Sequence, residues 1–340
     1  MTIATERQLE ETLSSPSEAD QAAIAKMDGE LVILGVGGKM GPSLARRARR
    51  AAVAAGSKLR IIGVARFSSP GLREEMEAAG VETIAADLLD PRQLAGLPDA
   101  AQVIFMAARK FGSTGDEPYT WAMNTHLPAR VAERYRASRI VAFSTGNVYP
   151  LTPVAGGGAT EDTPAAPIGE YAQSALGRER MFQYFSAEYG TPVALLRLNY
   201  AVELRYGVLL DIGRAVFERR PVNLHMGSVN VIWQGDANSV CLRSFALCAS
   251  PPVIVNVTGP ETLSVRWLAR RFGDHFGVEP VLEAWESDEA LLSNAARCQR
   301  LFGYPAVSVE QMIEWTARWI GMGGATLHKP THFDVRDGRF

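Results

Sequence analysis

Short apolar runs recur along the first two thirds of the chain, separated by segments with the period of a helix. The runs are continuous rather than alternating, which is typical of strands buried on both faces. We therefore predict an α/β fold built on a doubly wound parallel sheet, with helices on both faces and ligands at the carboxyl ends of the strands. The predicted strands are 31–34, 59–64, 81–85, 103–106, 140–143 and 193–198.

After Ala201 the pattern loosens, which predicts a smaller C-terminal α/β lobe. Its predicted elements are short strands at 229–233 and 253–257 and helices near 236–249, 265–276, 289–302 and 309–320. The Pro- and Gly-rich residues 150–167 predict a long loop, where a substrate lid commonly lies. The predicted domains are a helical extension at 1–28, a cofactor-binding domain at 29–200, an interleaved substrate lobe at 201–322 and a tail at 323–340.

Composition and charge narrow the possible partners. The chain has 340 residues, of which 47% are hydrophobic and 21% charged, so it can bury a full core. Its 35 Lys and Arg residues against 37 Asp and Glu give a net charge of −2, so there is no overall basic field to hold nucleic acid or an anionic membrane. Since we find no apolar signal segment and no run of about 20 apolar residues, we expect a cytoplasmic protein.

The cysteines and histidines do not indicate a metal site. Cys241, Cys248 and Cys298 lie in apolar helical stretches, which is typical of reduced core thiols rather than disulfides. His328 and His332 are close in sequence, but Pro330 between them excludes a helical pair of ligands.

A glycine-rich turn follows the first predicted strand. Gly35, Gly38 and Gly41 permit a tight turn and a close approach of backbone N–H groups to a pyrophosphate, and the next helix opens with Pro42. The strand before the turn and the helix after it predict a Rossmann-type dinucleotide-binding domain. Arg66 follows the second strand where an acidic residue would bind the ribose of NAD(H), so NADP(H) is favoured over NAD(H).

Further motifs occur in the order found in a known family. Asp87 and Leu88 follow the third predicted strand, and residues 103–108 contain the fourth predicted strand. Asn124 lies in a predicted helix at 119–135, and the segment 143–149 reads Phe-Ser-Thr-Gly-Asn-Val-Tyr. Over residues 30–320 the chain resembles the extended short-chain dehydrogenase/reductase family, the NAD(P)-dependent epimerase/dehydratase group. The residues that the resemblance and the turn assign to cofactor binding are Gly35, Gly38, Lys39, Met40, Gly41, Arg66, Asp87, Leu88, Ala107, Ala108, Arg109 and Asn124.

The resemblance implies that Tyr171 and Thr145 are catalytic, but the lysine that the family places four residues after the tyrosine is Ala175 here. A phenol has a pKa of about 10, and that lysine normally lowers it. Three interpretations stay open: another cation substitutes, the tyrosine acts as a neutral acid, or the cofactor binds without hydride transfer. Arg178 lies seven residues on, about 10 Å along the helix axis, so Arg109 and Lys110 at the end of the fourth strand are the preferred cations.

The substrate lobe departs from the family as well. Two arginines that clamp the diphosphate of a nucleotide sugar are replaced by Val229 and by the segment 283–286. We therefore predict a small carbohydrate-like substrate such as a sugar, sugar acid, lactone or polyol. The candidate substrate-binding residues are Asn147, Asn199, Arg205 and Trp233.

The combined expectation is an epimerase/dehydratase-like enzyme, acting as an oxidoreductase, isomerase or lyase with transient hydride transfer. The alternatives are a non-catalytic NADP(H) sensor or assembly subunit, motivated by Ala175, and a non-redox isomerase or lyase with a structural cofactor. The resemblance also implies a homodimer formed through the helices that carry Asn124 and Tyr171.

Overall fold

Each strand of the central sheet is an apolar segment that helices cover on both faces. A computed structural model describes residues 3–110, 112–329 and 331–339. Residues 1–2, 111, 330 and 340 lie outside these ranges, and with them Pro330 and the ends of the predicted extension and tail.

The elements follow one another in regular alternation up to β5. The strands are β1 Glu30–Leu34, β2 Arg60–Ala65, β3 Glu82–Ala85, β4 Gln102–Phe105, β5 Arg139–Thr145, β6 Thr152–Pro153, β7 Val193–Leu198, β8 Ala201–Val202, β9 Val222–Asn223, β10 Ser228–Val229, β11 Ile232–Trp233, β12 Val253–Val257, β13 Leu263–Ser264, β14 Leu282–Glu283 and β15 Glu289–Ala290. The α-helices are α1 Glu6–Ser14, α2 Glu18–Ile24, α3 Gly41–Ala54, α4 Leu72–Ala78, α5 Pro91–Ala95, α6 Glu117–Trp121, α7 Leu127–Arg134, α8 Gly169–Tyr189, α9 Val208–Phe217, α10 Gln234–Arg243, α11 Val265–Phe276, α12 Ala296–Phe302 and α13 Val309–Gly321. A π-helical turn, Ala122–His126, joins α6 to α7.

The described residues form one central sheet of seven strands in the order β12-β7-β5-β4-β1-β2-β3. All of its pairings are parallel. The order reverses between β1 and β4, and such a switch point opens a crevice at the carboxyl ends of the strands. The predicted Rossmann-type doubly wound α/β fold is confirmed.

Alternate residues of the strands point into two separate cores. Leu31, Ile33 and Ile61 pack against α3 and α10 on one face, while Val32 and Leu34 pack against α7 on the other. This alternation fixes the register, since a shift of one residue would exchange the two faces.

Some predicted elements differ from the structure. The segment 253–257 was assigned to the substrate lobe, but as β12 it pairs with β7 at the edge of the central sheet. The helix predicted at 289–302 begins only at Ala296, because β15 pairs with β6 of the loop 150–167 instead. The strand predicted at 229–233 is divided into β10 and β11, which pair with different partners. The domain limits stay predictions.

A third core lies beside the sheet and holds the C-terminal lobe together. Helices α9, α11 and α13 pack on one another around Phe272 and Trp319, and Leu9 and Leu13 of α1 pack into the same core. Helix α2 docks separately, where buried Asp20 and Arg47 form an ion pair of 2.6 Å.

Within the part of the chain that the structure describes, no helix is both long and apolar enough to cross a membrane. Cys241, Cys248 and Cys298 are free thiols.

Candidate functional site

The glycine-rich turn between β1 and α3 has no room for side chains at its key positions. Gly35 has φ +88°, and a Cβ there would lie 2.6 Å from backbone atoms of Ala107. A Cβ on Gly41 would lie 2.0 Å from the carbonyl oxygen of Val36. The two glycines therefore let the turn pack closely on the segment that follows β4 and on itself. The N–H groups and the helix dipole at the start of α3 suit a pyrophosphate.

A cleft of about 230 Å³ continues from this turn along the ends of β1 to β4. Arg66 is exposed at its edge, and its Nη1 donates to the Tyr119 hydroxyl oxygen at 3.5 Å. The predicted residues that line the cleft are Gly35, Gly38, Arg66, Asp87, Leu88, Ala107 and Ala108. Sequence reasoning missed Phe67, Ser68, Ser69, Leu72 and Met123, which carry no family motif. Turn and cleft together fit the adenosine and pyrophosphate of a dinucleotide.

A second cavity of about 360 Å³ lies at the carboxyl ends of β5 and β7. The predicted site residues that line it are Gly38, Lys39, Met40, Ala108, Thr145, Asn147, Tyr171 and Asn199. Because Gly38 and Ala108 line both cavities, the second cavity adjoins the cleft. We call it the Tyr171 cavity.

Tyr171 enters this cavity from the first turn of α8. Its side chain is hydrogen-bonded to that of Thr145, at the end of β5. The Thr145 hydroxyl also donates to Asn147 Oδ1 at 3.0 Å and accepts from the Asn147 amide at 3.2 Å. Burial raises the pKa of Tyr171, while the Arg178 guanidinium and the Thr145 hydrogen bond lower it in part. The phenol is thus a buried proton donor next to the positive charge of a guanidinium.

That charge comes from the position seven residues after the tyrosine. Arg178 Nη1 donates to the Phe143 carbonyl oxygen at 2.9 Å and Nη2 donates to Asn124 Oδ1 at 3.0 Å. Ala175, at the position of the family's lysine, is buried beside Val148 instead. Arg178 lines the Tyr171 cavity and is therefore placed to act on the tyrosine.

The preference for Arg109 as the replacement cation was wrong. Its guanidinium pairs with Asp116 at 2.5 Å and lies 4.8 Å from the Tyr119 ring centroid. Lys110 does approach the tyrosine, with Nζ 5.8 Å from the Tyr171 ring centroid.

Asn124 and Arg109 were assigned to cofactor binding, but neither lines the cleft. Asn124 Oδ1 accepts from the Arg109 amide and Nδ2 donates to the Arg109 carbonyl oxygen, both at 2.8 Å. Asn124 Nδ2 also donates to Ser174 Oγ at 3.0 Å. The amide thus braces the end of β4 against α8, behind the cavity wall.

Two predicted substrate-binding residues lie elsewhere. Trp233 is 2% exposed in the core of the C-terminal lobe, with its ring centroid 5.3 Å from that of Trp315. Arg205 forms ion pairs with Glu10 at 2.7 Å and Glu203 at 3.2 Å. Both residues follow short apolar stretches at the sheet edge, where the sequence does not show which way a side chain turns.

Three lysines line the Tyr171 cavity, and the sequence did not predict that Lys329 joins Lys39 and Lys110 there. Lys39 Nζ donates to the Ala201 carbonyl oxygen at 3.2 Å and lies 3.6 Å from the Tyr206 ring centroid. Lys110 and Lys329 also line the cavity. Burial lowers the pKa of Lys39 to about 7 and that of Lys110 to about 8. Among the described residues, we find no group of three or more His, Cys, Asp or Glu side chains that could hold a metal ion.

Comparisons with known proteins agree with this geometry. Residues 31–202 match the sequence model of the NAD dependent epimerase/dehydratase family. A 2-alkyl-3-oxoalkanoate reductase from Shewanella oneidensis is 30% identical over 167 residues, which are 47% of this chain and 40% of the reductase. The chain thus spans less than half the length of this curated relative.

Solved structures show the same fold over most of the chain. A UDP-glucose 4-epimerase from Thermotoga maritima, solved with UDP-glucose, is 16% identical, covers 86% of this chain and 99% of its own, and has a TM-score of 0.69. A UDP-glucuronic acid 4-epimerase from Bacillus cereus, solved with NAD, is 17% identical, covers 86% of this chain and 98% of its own, and has a TM-score of 0.71. At these identities, the likeness concerns the fold.

Proposed function

The chain belongs to the NAD dependent epimerase/dehydratase family, and from this premise we propose that it is an NADP(H)-dependent enzyme acting on a small carbohydrate-like substrate. The reacting group is a hydroxyl or ketone of a sugar, sugar acid, lactone or polyol. The observation that carries the proposal is the placement of Tyr171, Thr145 and Arg178 around one cavity that adjoins the dinucleotide cleft. The reaction is either a net oxidation or reduction, or one in which hydride is taken and returned.

Gly35, Gly38 and the start of α3 at Gly41 would hold the pyrophosphate. Arg66 supports the preference for NADP(H), since a guanidinium at the edge of the cleft suits a 2′-phosphate and no acid stands at that position. When bound, the nicotinamide supplies or accepts the hydride.

Side chains of this protein would bind the reacting oxygen and transfer its proton. The Thr145 hydroxyl is placed to hydrogen-bond the reacting oxygen, and the Tyr171 hydroxyl exchanges its proton with that oxygen. Positive charge on Arg178 favours the deprotonated phenol, against the burial that opposes it. The guanidinium thus takes over part of the role of the absent lysine.

The cavity supports a substrate without a nucleoside diphosphate. Val229 is fully buried, and Glu286 is ion-paired with Arg266 at 2.6 Å. Among the described residues that line the cavity, Arg178 is the one guanidinium, and it is bonded to Phe143 and Asn124. The cavity thus offers lysine amines but lacks, among its described residues, the bidentate arginine pair that grips a diphosphate in the family.

A second candidate function, a cofactor-binding sensor without turnover, is favoured by Ala175, which packs in the position of the lysine. A third candidate function is a non-redox isomerase or lyase in which the cofactor is structural. The three candidate functions differ in whether the protein turns substrate over and in whether nicotinamide absorbance changes during a single turnover.

The test joins cofactor titration to turnover. We expect NADPH fluorescence to change on binding, and turnover on a panel of polyols, keto sugars and sugar acids. Tyr171→Phe should lower turnover by about 100-fold or more and leave NADPH affinity within about twofold, because the phenol is not part of the cleft. Tyr304→Phe, on an exposed tyrosine, is the matched control.

Each alternative has its own outcome. Full turnover by Tyr171→Phe would exclude the tyrosine as acid or base. Tight NADPH binding with no turnover on the panel would favour the sensor, and turnover without a nicotinamide transient would favour the structural cofactor.

We also propose a homodimer through α7 and α8, as the family resemblance implies. Trp121 and Tyr184 are exposed on this side of the protein, at 37% and 57%. Sedimentation equilibrium should give twice the chain mass of 36.9 kDa; a single-chain mass at micromolar concentration would contradict the proposal.

A further inference from the structure

The Tyr171 cavity concentrates positive charge. Lys39, Lys110, Arg178 and Lys329 line it, and none of its described lining residues is Asp or Glu. The chain as a whole carries a net charge of −2, so this concentration is local. Burial lowers the pKa of Lys39 and of Lys110, and an anion beside these amines would favour their charged forms.

The nearest carboxylates already have partners. Asp211 Oδ2 accepts from the Thr331 amide at 2.8 Å and from its hydroxyl at 2.6 Å. Glu203 is ion-paired with Arg205 at 3.2 Å. Both carboxylates act on Lys39 electrostatically, but neither lines the cavity. A ligand that carries its own negative charge would therefore meet basic side chains, and no carboxylate, in the described lining of the cavity.

The lysines face the substrate side of the cavity rather than the cofactor cleft. Lys39 belongs to the glycine-rich turn, yet its Nζ reaches Ala201 and the ring of Tyr206 in the C-terminal lobe. Lys110 Nζ donates to the Thr331 carbonyl oxygen at 3.4 Å and lies 5.8 Å from the Tyr171 ring centroid. None of the three lysines lines the dinucleotide cleft.

Lys329 is supplied by the C-terminal segment, whose described residues are 323–329 and 331–339. The Leu327 amide donates to the Arg205 carbonyl oxygen at 3.0 Å, before Lys329. After it, Thr331 binds Asp211 and the Arg336 guanidinium donates to the Glu289 carbonyl oxygen at 2.7 Å. The segment is thus anchored on both sides of Lys329, which lines the cavity and is itself exposed to solvent.

We propose that the substrate is a small carboxylic acid, with its carboxylate between Lys110 and Lys329 and its hydroxyl or keto carbon at Tyr171 and Thr145. This inference rests on the proposed function and names the substrate class for the same cavity. Lys39 adds a third amine to the lining of the cavity. A cavity of about 360 Å³ accommodates a compact acid. A phosphate would share the same attraction, so the experiment separates the two anions.

The experiment compares matched ligand pairs by calorimetry on the NADP⁺-loaded protein. In each pair, the acid has a carboxylate where its neutral partner has a hydroxymethyl group. Two pairs are carbohydrates: D-gluconate with D-glucitol, and D-galacturonate with D-galactose. A third pair, 3-hydroxybutyrate with 1,3-butanediol, is not a carbohydrate. Glucose 6-phosphate and glucose form the phosphate arm. We expect at least one acid to bind about tenfold or more tightly than its neutral partner, since a charged hydrogen bond is lost without it.

Variants then locate the carboxylate. Lys110→Gln and Lys329→Gln should each reduce the preference for the acid about tenfold, and Lys329→Arg should retain most of it. Lys58→Gln, on an exposed lysine away from the cavity, should leave the preference unchanged. NADPH fluorescence shows that each variant is folded and binds cofactor.

The inference is wrong if no acid is preferred over its neutral partner, if only the phosphate is preferred, or if the preference survives in both glutamine variants. Its failure differs from that of the proposed function. NADPH binding and turnover without a preference for the acid would refute only the carboxylic acid as the substrate class. Acid binding without turnover would refute only the proposed catalytic function.

Discussion

A buried ion pair beneath the Tyr171 cavity offers a direct test of how the site is held. Glu179 of α8 is fully buried, and Arg197 of β7 is 4% exposed. Arg197 donates to both carboxylate oxygens, from Nε at 2.9 Å and from Nη2 at 2.7 Å. Ser144 Oγ donates to the same carboxylate at 2.5 Å, and Arg197 Nη1 donates to the Tyr149 hydroxyl oxygen at 2.7 Å. The pair therefore ties α8 to the ends of two strands.

Glu179→Gln is the smallest change that breaks the pair. The amide keeps the shape of the side chain but leaves the Arg197 cation buried without a counter-charge, and its NH₂ group faces donors. Breaking a buried pair in this way costs about 3–5 kcal/mol, a large part of a typical unfolding free energy of about 5–15 kcal/mol. We expect the urea midpoint to fall accordingly.

Replacing both partners should cost less than the two single changes together. Glu179→Leu with Arg197→Met removes both charges, although Ser144 and Tyr149 each lose a partner at about 1–3 kcal/mol. We expect the double variant to be more stable than the sum of the singles predicts by at least about 2 kcal/mol.

The assay is urea unfolding followed by tryptophan fluorescence and circular dichroism, with coincident transitions required. Glu218→Gln is the control, because the carboxylate of Glu218 pairs with Arg214 at the surface and should contribute at most about 1 kcal/mol. A cost below about 1 kcal/mol for Glu179→Gln, or strict additivity in the double variant, would refute the reasoning.

Three further predictions concern the ligands. Arg66→Gln should raise the Kd for NADPH about tenfold and leave that for NADH unchanged; equal loss for both would show that the guanidinium does not bind the 2′-phosphate. Gly35→Ala should abolish cofactor binding, since its Cβ would lie 2.6 Å from the Ala107 backbone at φ +88°, while Gly321→Ala meets open space and serves as the control. Binding of the acid should weaken between pH 7 and pH 9, because Lys110 has a pKa of about 8 and attracts the carboxylate only in its protonated form, which is lost as the pH rises; a flat profile would exclude this lysine.

The parts of the fold that follow from local pattern were predictable. The strands β1 to β5 and the turn at Gly35 are specified by continuous apolar runs and by glycines that a close approach of backbone requires. β12 has the same apolar pattern, but its place beside β7 depends on a connection through the C-terminal lobe. A pattern of residues identifies a strand without identifying its neighbour.

The sequence reasoning ranked Arg178 below Arg109 and Lys110 for a geometric reason. A distance of about 10 Å along the axis separates the backbones of Tyr171 and Arg178, but side chains on a helix lean toward its N-terminus. A long arginine side chain therefore extends back toward the first turn of α8, where it meets Phe143 and Asn124. Lys329 had no such local signal, because only the fold brings residues 39, 110 and 329 to one cavity.

The dinucleotide cleft and the Tyr171 cavity differ in how far apart along the chain their lining residues lie. All the described residues that line the dinucleotide cleft lie between Gly35 and Met123. The Tyr171 cavity joins Lys39 to Lys329 and Thr331 across nearly the whole described chain. Closing longer loops costs more entropy and slows folding. A refolding chain should therefore recover cofactor binding before it recovers substrate binding.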